Sequence, residues 1–298
     1  MRKIMVFLVA LMFLSGCQTL SLSRKNEEPT AHISEETSYI GKEGLFLSFL
    51  ENFPRDPNNA YNSDEEIVVR VTLENKGAYE AYGNLILQHD ENLILEEGDY
   101  EQSFDLEGRS FASPKGEKVN FGYKLRPYLF GHTDTMSPEI TLIAIYPYKT
   151  MAVIPICIDN DPYGELELNG VKKACKSENV EISEGQGAPI AVTKVEPSMG
   201  LDDDTVNPKF KIYISNVGGG ELYSLNGASN VVEISASLYE QGLECLETEL
   251  DLTKRSYTTC KLKDPIEGFQ AYNSILKVEL EYKYRTTERK TIQIKKEK

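Results

Sequence analysis

The chain has 298 residues, with 32 Lys and Arg against 47 Asp and Glu, and a formal net charge of −15 at pH 7. That balance excludes nucleic acid as a partner, because a phosphate backbone is held by clustered Lys and Arg, and it opposes lying flat on an anionic membrane. Trp is absent, Tyr is abundant at 17 and His is scarce at 3, which leaves few bases for acid–base chemistry.

The first residues read Met1, Arg2, Lys3, an apolar run from Ile4 to Leu14, and then Leu14-Ser15-Gly16-Cys17. A basic start, a short apolar core and small residues before a break predict a signal peptide over 1–16. The Cys directly after the small pair predicts a lipobox, with a diacylglyceryl group on the Cys17 thiol and cleavage before it. The run is too short to span a bilayer comfortably, which takes ~20 residues. Losing Arg2 and Lys3 would take the charge from −15 to about −17 (−15 − 2). The chain is thus expected to be exported and membrane-anchored on the extracytoplasmic side.

Residues 17–43 are polar and lack an apolar period beyond the lipidated Cys, and they predict a disordered tether. Such a tether would hold the folded body ~25–30 Å from the membrane on average. From Gly44 onward the pattern is β. Leu45 to Leu50 is a short apolar strand. Ile67, Val69, Val71 and Leu73 alternate with polar neighbours before the turn Asn75-Lys76-Gly77. Asn84 to His89, Val119 to Leu125 and Ile140 to Tyr148 are further strands. Period-two alternation between Gly, Asn, Asp and Pro turns predicts a sandwich, and domain 1 is placed at 44–156.

A connector is expected at 157–187, and domain 2 at 188–298. Ile190 to Val195 opens the second domain. Phe210, Ile212 and Ile214 alternate before Asn216-Val217-Gly218, and Val232 to Leu238 alternates likewise. Leu276, Val278, Leu280, Tyr282 and Tyr284 share one face of the last long strand, which is predicted to fold back as a hairpin with Thr291 to Ile294. The segment VVRVTLENKG (68–77) matches KFKIYISNVG (209–218), offset by 141 positions. The Tyr-x-Tyr of TLIAIYPYKT (141–150) matches that of LKVELEYKYRT (276–286), offset by 136. Paired order and similar offsets predict an internal repeat, with Tyr146, Tyr148, Tyr282 and Tyr284 in the core. Tyr213 and Tyr239 fall on the opposite faces and are the better contact candidates.

The ENKG and SNVGGG turns after alternating strands resemble CARDB-type immunoglobulin-like domains. The whole chain is similar to uncharacterised archaeal and bacterial cell-surface lipoproteins that carry them. The resemblance implies two immunoglobulin-like β-sandwich domains in tandem, acting as spacers or adhesive modules, with no catalytic residues to carry over. The connector cysteines depart from the usual pattern.

After Cys17, four cysteines remain: Cys157, Cys175, Cys245 and Cys260. An even number in an exported chain predicts two disulfides. Three pairings exist, and spacing favours Cys157–Cys175 and Cys245–Cys260. No CxxC spacing supports a four-Cys metal site. No GxSxG, HExxH, Walker loop or GxGxxG occurs, and the acidic pairs carry no information about glycoside hydrolysis, which depends on spatial separation. Calcium is the one ion considered, through Asp159 and Asp161 of Asp159-Asn160-Asp161, with Asp202-Asp203-Asp204 as a second acidic turn. No other cofactor is expected. The reading that follows is a non-enzymatic surface lipoprotein whose partner is an unknown protein or glycan. The alternatives are an accessory subunit docked on a membrane assembly and a carbohydrate-binding or hydrolytic lipoprotein.

Overall fold

The computed structural model describes residues 39–128, 134–170, 172–202, 205–267 and 271–296, and it is all-β with several antiparallel sheets. The expected signal, Cys17 and the tether as far as residue 38 lie outside the described residues. Alternation decides which residues turn inward. In the strand Ile67–Asn75, the side chains of Ile67, Val69, Val71 and Leu73 are fully buried while Arg70 faces water, as expected where one sheet face meets a core.

Three large sheets result. The first runs β1 (Leu45–Phe49), β3 (Ile67–Asn75), β7 (Lys118–Pro127), β5 (Leu93–Glu97). The second runs β10 (Val180–Glu181), β11 (Ile190–Asp202), β12 (Thr205–Asn216), β18 (Tyr257–Lys261), β16 (Glu244–Cys245), with β19 (Ile266–Glu267) added to β12. Both pack on one face of a third sheet, to which both halves contribute. Its order is β15 (Gln241–Gly242), β14 (Val231–Leu238), β20 (Tyr272–Thr291), β9 (Glu139–Ile158), β4 (Ala81–His89), β6 (Glu101–Leu106). The short strands β13 (Glu221–Tyr223) and β17 (Glu249–Asp251) pair with β20 and β14. The helix α1 (Glu165–Leu168) is a single turn. Among the described residues no helix is long and apolar enough to cross a membrane.

The two halves are joined through β9 and β20, which pair antiparallel along their whole length, from Tyr272↔Ile158 to Thr291↔Glu139. The apolar core is accordingly continuous through both halves. At the middle of this ladder Tyr148 faces Tyr282 and Tyr146 faces Tyr284. The four rings meet edge to face, with centroids 5.5–6.3 Å apart, the geometry aromatic rings prefer.

Each phenol in this quartet finds a polar partner in its own half, and the partners repeat. Tyr146 Oη accepts from the Leu45 amide at 3.1 Å, and Tyr282 Oη from the Ile190 amide at 3.4 Å. Tyr148 Oη accepts from the Tyr79 amide and donates to Asn75 Oδ1; Tyr284 Oη accepts from the Gly220 amide and donates to Asn216 Oδ1. Asn75 and Asn216 each accept from the amide two residues on and donate to the carbonyl four residues on. The Asn-x-Gly turns and the Tyr-x-Tyr strands are therefore one repeated device. It also explains the glycines: a Cβ at Gly77 would sit 1.9 Å from Tyr148 Oη, and one at Gly218 2.5 Å from Tyr284 Oη.

One expectation fails. The last strand does not return as a hairpin with Thr291 to Ile294. β20 continues to Thr291, and β21 (Ile294–Lys295) crosses to the first half. There it pairs in parallel with β2 (Tyr61–Asn62) and antiparallel with β8 (Thr135–Met136). The reason is burial: Ile292 and Ile294 are both inaccessible there.

Candidate functional site

The residues singled out in the sequence are dispersed over the molecule. Cys17 lies outside the described residues. Cys157 bonds Cys175 and Cys245 bonds Cys260, closing loops with sequence separations of 18 and 15, each worth ~3 kcal/mol in the chain-entropy model. Cys245 and Cys260 face each other directly across β16 and β18.

Asp159 and Asp161 are brought together and buried just beyond β9, but the cation between them is an ammonium. Lys173 Nζ lies 3.2 Å from Asp159 Oδ1 and 3.5 Å from Asp161 Oδ2, with its side chain 7% exposed. It also donates to the Asp161 carbonyl. Burial alone would lower the Lys173 pKa; the hydrogen bond and charge of Asp159, then of Asp161, outweigh it and hold the ammonium above its ordinary range. The Asp161 carboxylate further accepts from the Glu165 amide at the start of α1. Carboxylates so engaged offer a metal ion little, and no group of three or more His, Cys, Asp or Glu among the described residues is placed to hold one. Asp203 and Asp204 lie outside the described residues.

Tyr213 is on the outer face of its sheet, as expected, but it is occupied. Its hydroxyl donates to Glu196 at 3.0 Å, its ring lies 5.4 Å from Tyr257, and Lys211 Nζ sits over both rings. The hydrogen bond from Lys194, then that from Tyr213, holds the Glu196 carboxyl below its usual range.

Tyr239 is different. It is 72% exposed and stands at the lip of a cleft of about 1220 Å³. The cleft opens where β14 turns through Tyr239-Glu240 into β15, opposite the loop Leu262–Ile266 and the start of β20. Its apolar surface comes from Tyr239, Tyr272, Ile275, Leu238, Leu262 and Pro265, and its polar groups from Gln241, Asn273, Ser274, Glu240, Lys263 and Asp264. Tyr272 and Ile275 remain 40% and 44% exposed. Burial of the remainder raises the Tyr272 phenol above its ordinary pKa.

Tyr239 also has φ of 54°, in the left-handed region. Leu238 pairs with Gln241, so only two residues make the turn, and such turns call for positive φ, usually from Gly or Asn. A tyrosine there costs about 1–2 kcal/mol. The conformation is held because the Tyr239 amide donates to the Ile275 carbonyl at 2.8 Å. Strain spent on an exposed aromatic ring is what marks this place.

The first half is built differently at the equivalent place. There the Asp90 amide makes the equivalent bond to the Glu139 carbonyl. The chain then crosses directly to β5, which pairs with β7 from Leu93↔Pro127, while the Tyr128 amide closes onto the Asn92 carbonyl. In the second half the β14–β15 hairpin comes before the crossing. Sequence reasoning finds Tyr239 through its strand face. It misses Tyr272, Ile275 and Asn273, because they belong to the start of a strand that reads as core.

No protein-family model matches the chain, and no curated protein matches it. Solved structures do. The C-terminal domain of the AgI/II polypeptide BspA from Streptococcus agalactiae is 10% identical, covering 85% of this chain and 98% of that one, with a TM-score of 0.19. A DUF4466 family protein from Parabacteroides merdae is 11% identical, covering 80% and 98%, with a TM-score of 0.15. A Salmonella α-2-macroglobulin variant is 8% identical, covering 85% of this chain and 16% of its own, with a TM-score of 0.15. At these scores the similarity is weak and bears on no shared role.

Proposed function

We propose that the protein is a non-enzymatic, extracytoplasmic interaction module, tethered to a membrane through a lipid on Cys17, and that the Tyr239 cleft makes its contact. The observation that carries this reading is an exposed, conformationally strained aromatic residue at the lip of a large cleft. Two disulfides fit an oxidising compartment, and the acidic surface fits a protein that stays solvated outside the cell. No histidine or cysteine lines the cleft. His89 is spoken for by the Asp90 carbonyl and the Tyr100 hydroxyl.

The test is binding of the purified full chain to isolated envelopes of the cells that make it. Saturable binding that weakens at least about tenfold in Tyr239→Ala is the expected result, since exposed aromatic anchors carry most contact energy. Binding that never saturates, or that ignores the substitution, would overturn the reading.

A further inference from the structure

We infer that the Tyr239 cleft binds a neutral oligosaccharide, with Tyr239 and Tyr272 as stacking surfaces for the apolar faces of sugar rings. The inference rests on the reading that this cleft is the contact site, and it names the ligand.

Three observations carry it. The first is size. About 1220 Å³ exceeds the ~300–1,000 Å³ of a small-molecule pocket, so several linked rings fit where a single metabolite would leave water. The second is chemistry. A pyranose presents a C–H face and a rim of hydroxyls. The cleft offers tyrosine rings and aliphatic side chains for the first, and Gln241, Asn273 and Ser274 for the second. Amides and hydroxyls both donate and accept, which is what a sugar hydroxyl requires. The third is charge. The lining carries two carboxylates, Glu240 and Asp264, against one ammonium, Lys263, within a chain of net charge −15. That balance repels uronic, sialylated or phosphorylated chains and leaves neutral ones.

An extended peptide is the competing ligand, and the sheet edge argues against it. Peptides added to a sheet are held by main-chain pairing along an exposed strand. The strand at this edge, β15, is two residues long, and the hairpin turn follows β14 immediately. The cleft therefore presents side chains rather than a backbone template.

The strain at Tyr239 supplies a test that a merely structural residue would fail. Glycine accepts a φ of 54° without penalty. Tyr239→Gly should therefore raise the thermal midpoint by roughly 2–4 °C while weakening ligand binding at least about tenfold. A tyrosine kept for packing would give the opposite, a lower midpoint.

The experiment is calorimetric titration of the full chain with neutral tri- to hexasaccharides of glucose, galactose and mannose. Matched acidic oligosaccharides and extended peptides serve as competitors, and Tyr239→Gly and Tyr272→Ala are measured beside the parent. Binding of a neutral oligosaccharide that is lost in both variants, with Tyr239→Gly more stable than the parent, supports the inference. Binding unchanged by either substitution overturns it, as does equal affinity for acidic chains, or binding of the peptides alone. Envelope binding that needs Tyr239 but is destroyed by protease and untouched by periodate leaves the interaction reading standing and removes the oligosaccharide.

Discussion

At the scale of single residues, the tyrosine quartet makes the fold sensitive to alkali. Burial holds Tyr146, Tyr148 and Tyr282 neutral and raises each above the ordinary phenol value near 10. Burial also pushes Tyr79 and Tyr123 up to about 12. The unfolded chain releases these protons near pH 10 and the folded chain keeps them. Between the two values the folded state binds more protons, so stability is full below about pH 10 and falls as pH climbs through the raised values. Tyr282 is the place to see this. It shares a hydrogen bond with Thr150, whose own hydroxyl donates to the Ile190 carbonyl, and it accepts from the Ile190 amide. Tyr282→Phe should lose about 1–2 kcal/mol at neutral pH, yet decline less than the parent by about pH 11. Urea midpoints at the two pH values measure both effects, and parallel declines would show that Tyr282 does not contribute. The burial of these four rings is legible in the alternation of their strands. Their hydroxyl partners are not, because Asn75 and Asn216 read simply as turn residues until the turns are folded against the rings.

At the scale of elements, alternation reveals the strands but not their partners. β3 and β12 show in the sequence as apolar residues at every second position, because one face is buried and one wet. β9 and β20 show in part: Ile140 to Tyr148 and Leu276 to Tyr284 are evident, but both strands run on. In β9 the extension Met151 to Pro155 alternates less clearly. Its outward residues Val153 and Pro155 are apolar and face Lys277 and Ile275, so the usual polar mark of an outer face is missing. In the loop after β9 the charge beside the paired carboxylates comes from the chain itself. Asp159-Asn160-Asp161 advertises a hard ion, while Lys173, twelve positions beyond Asp161, supplies the charge. Removing that lysine leaves two buried carboxylates facing each other. Lys173→Met is therefore expected to cost about 3 kcal/mol, and adding Asp159→Asn to it should recover part of the loss. Chemical denaturation with the disulfides intact measures both, and a neutral Lys173→Met would show that Lys173 does not compensate the pair. The candidate site was legible to the extent of one ring. Tyr239 can be found from its strand face, whereas the cleft depends on how the β14–β15 hairpin stands against a loop more than twenty residues away, and no local pattern encodes that.

At the scale of the whole molecule, the internal repeat is legible and its geometry is not. The two offsets, 141 and 136 positions, identify equivalent segments, and the hydrogen bonds of the quartet repeat between them. What sequence cannot show is that the equivalent strands β9 and β20 pair with each other, so that the sheets of the two halves join edge to edge into one. The ladder between them acts as a ruler. Its side chains change face at every position, so its length fixes a count that the chain must keep. Deleting one residue, such as Met151, would force everything on one side of the gap to show core residues to water and polar ones to the core. Deleting Met151 with Ala152 restores the faces but moves Ile154 and Ile156 out of step with their partners on β20. One residue lost from the exposed Asp90–Asn92 turn should be tolerated far better. Soluble yield and protease resistance of the three deletions should therefore rank turn first, pair second and single last. The central ladder thus makes the protein least tolerant of length change where its two halves meet.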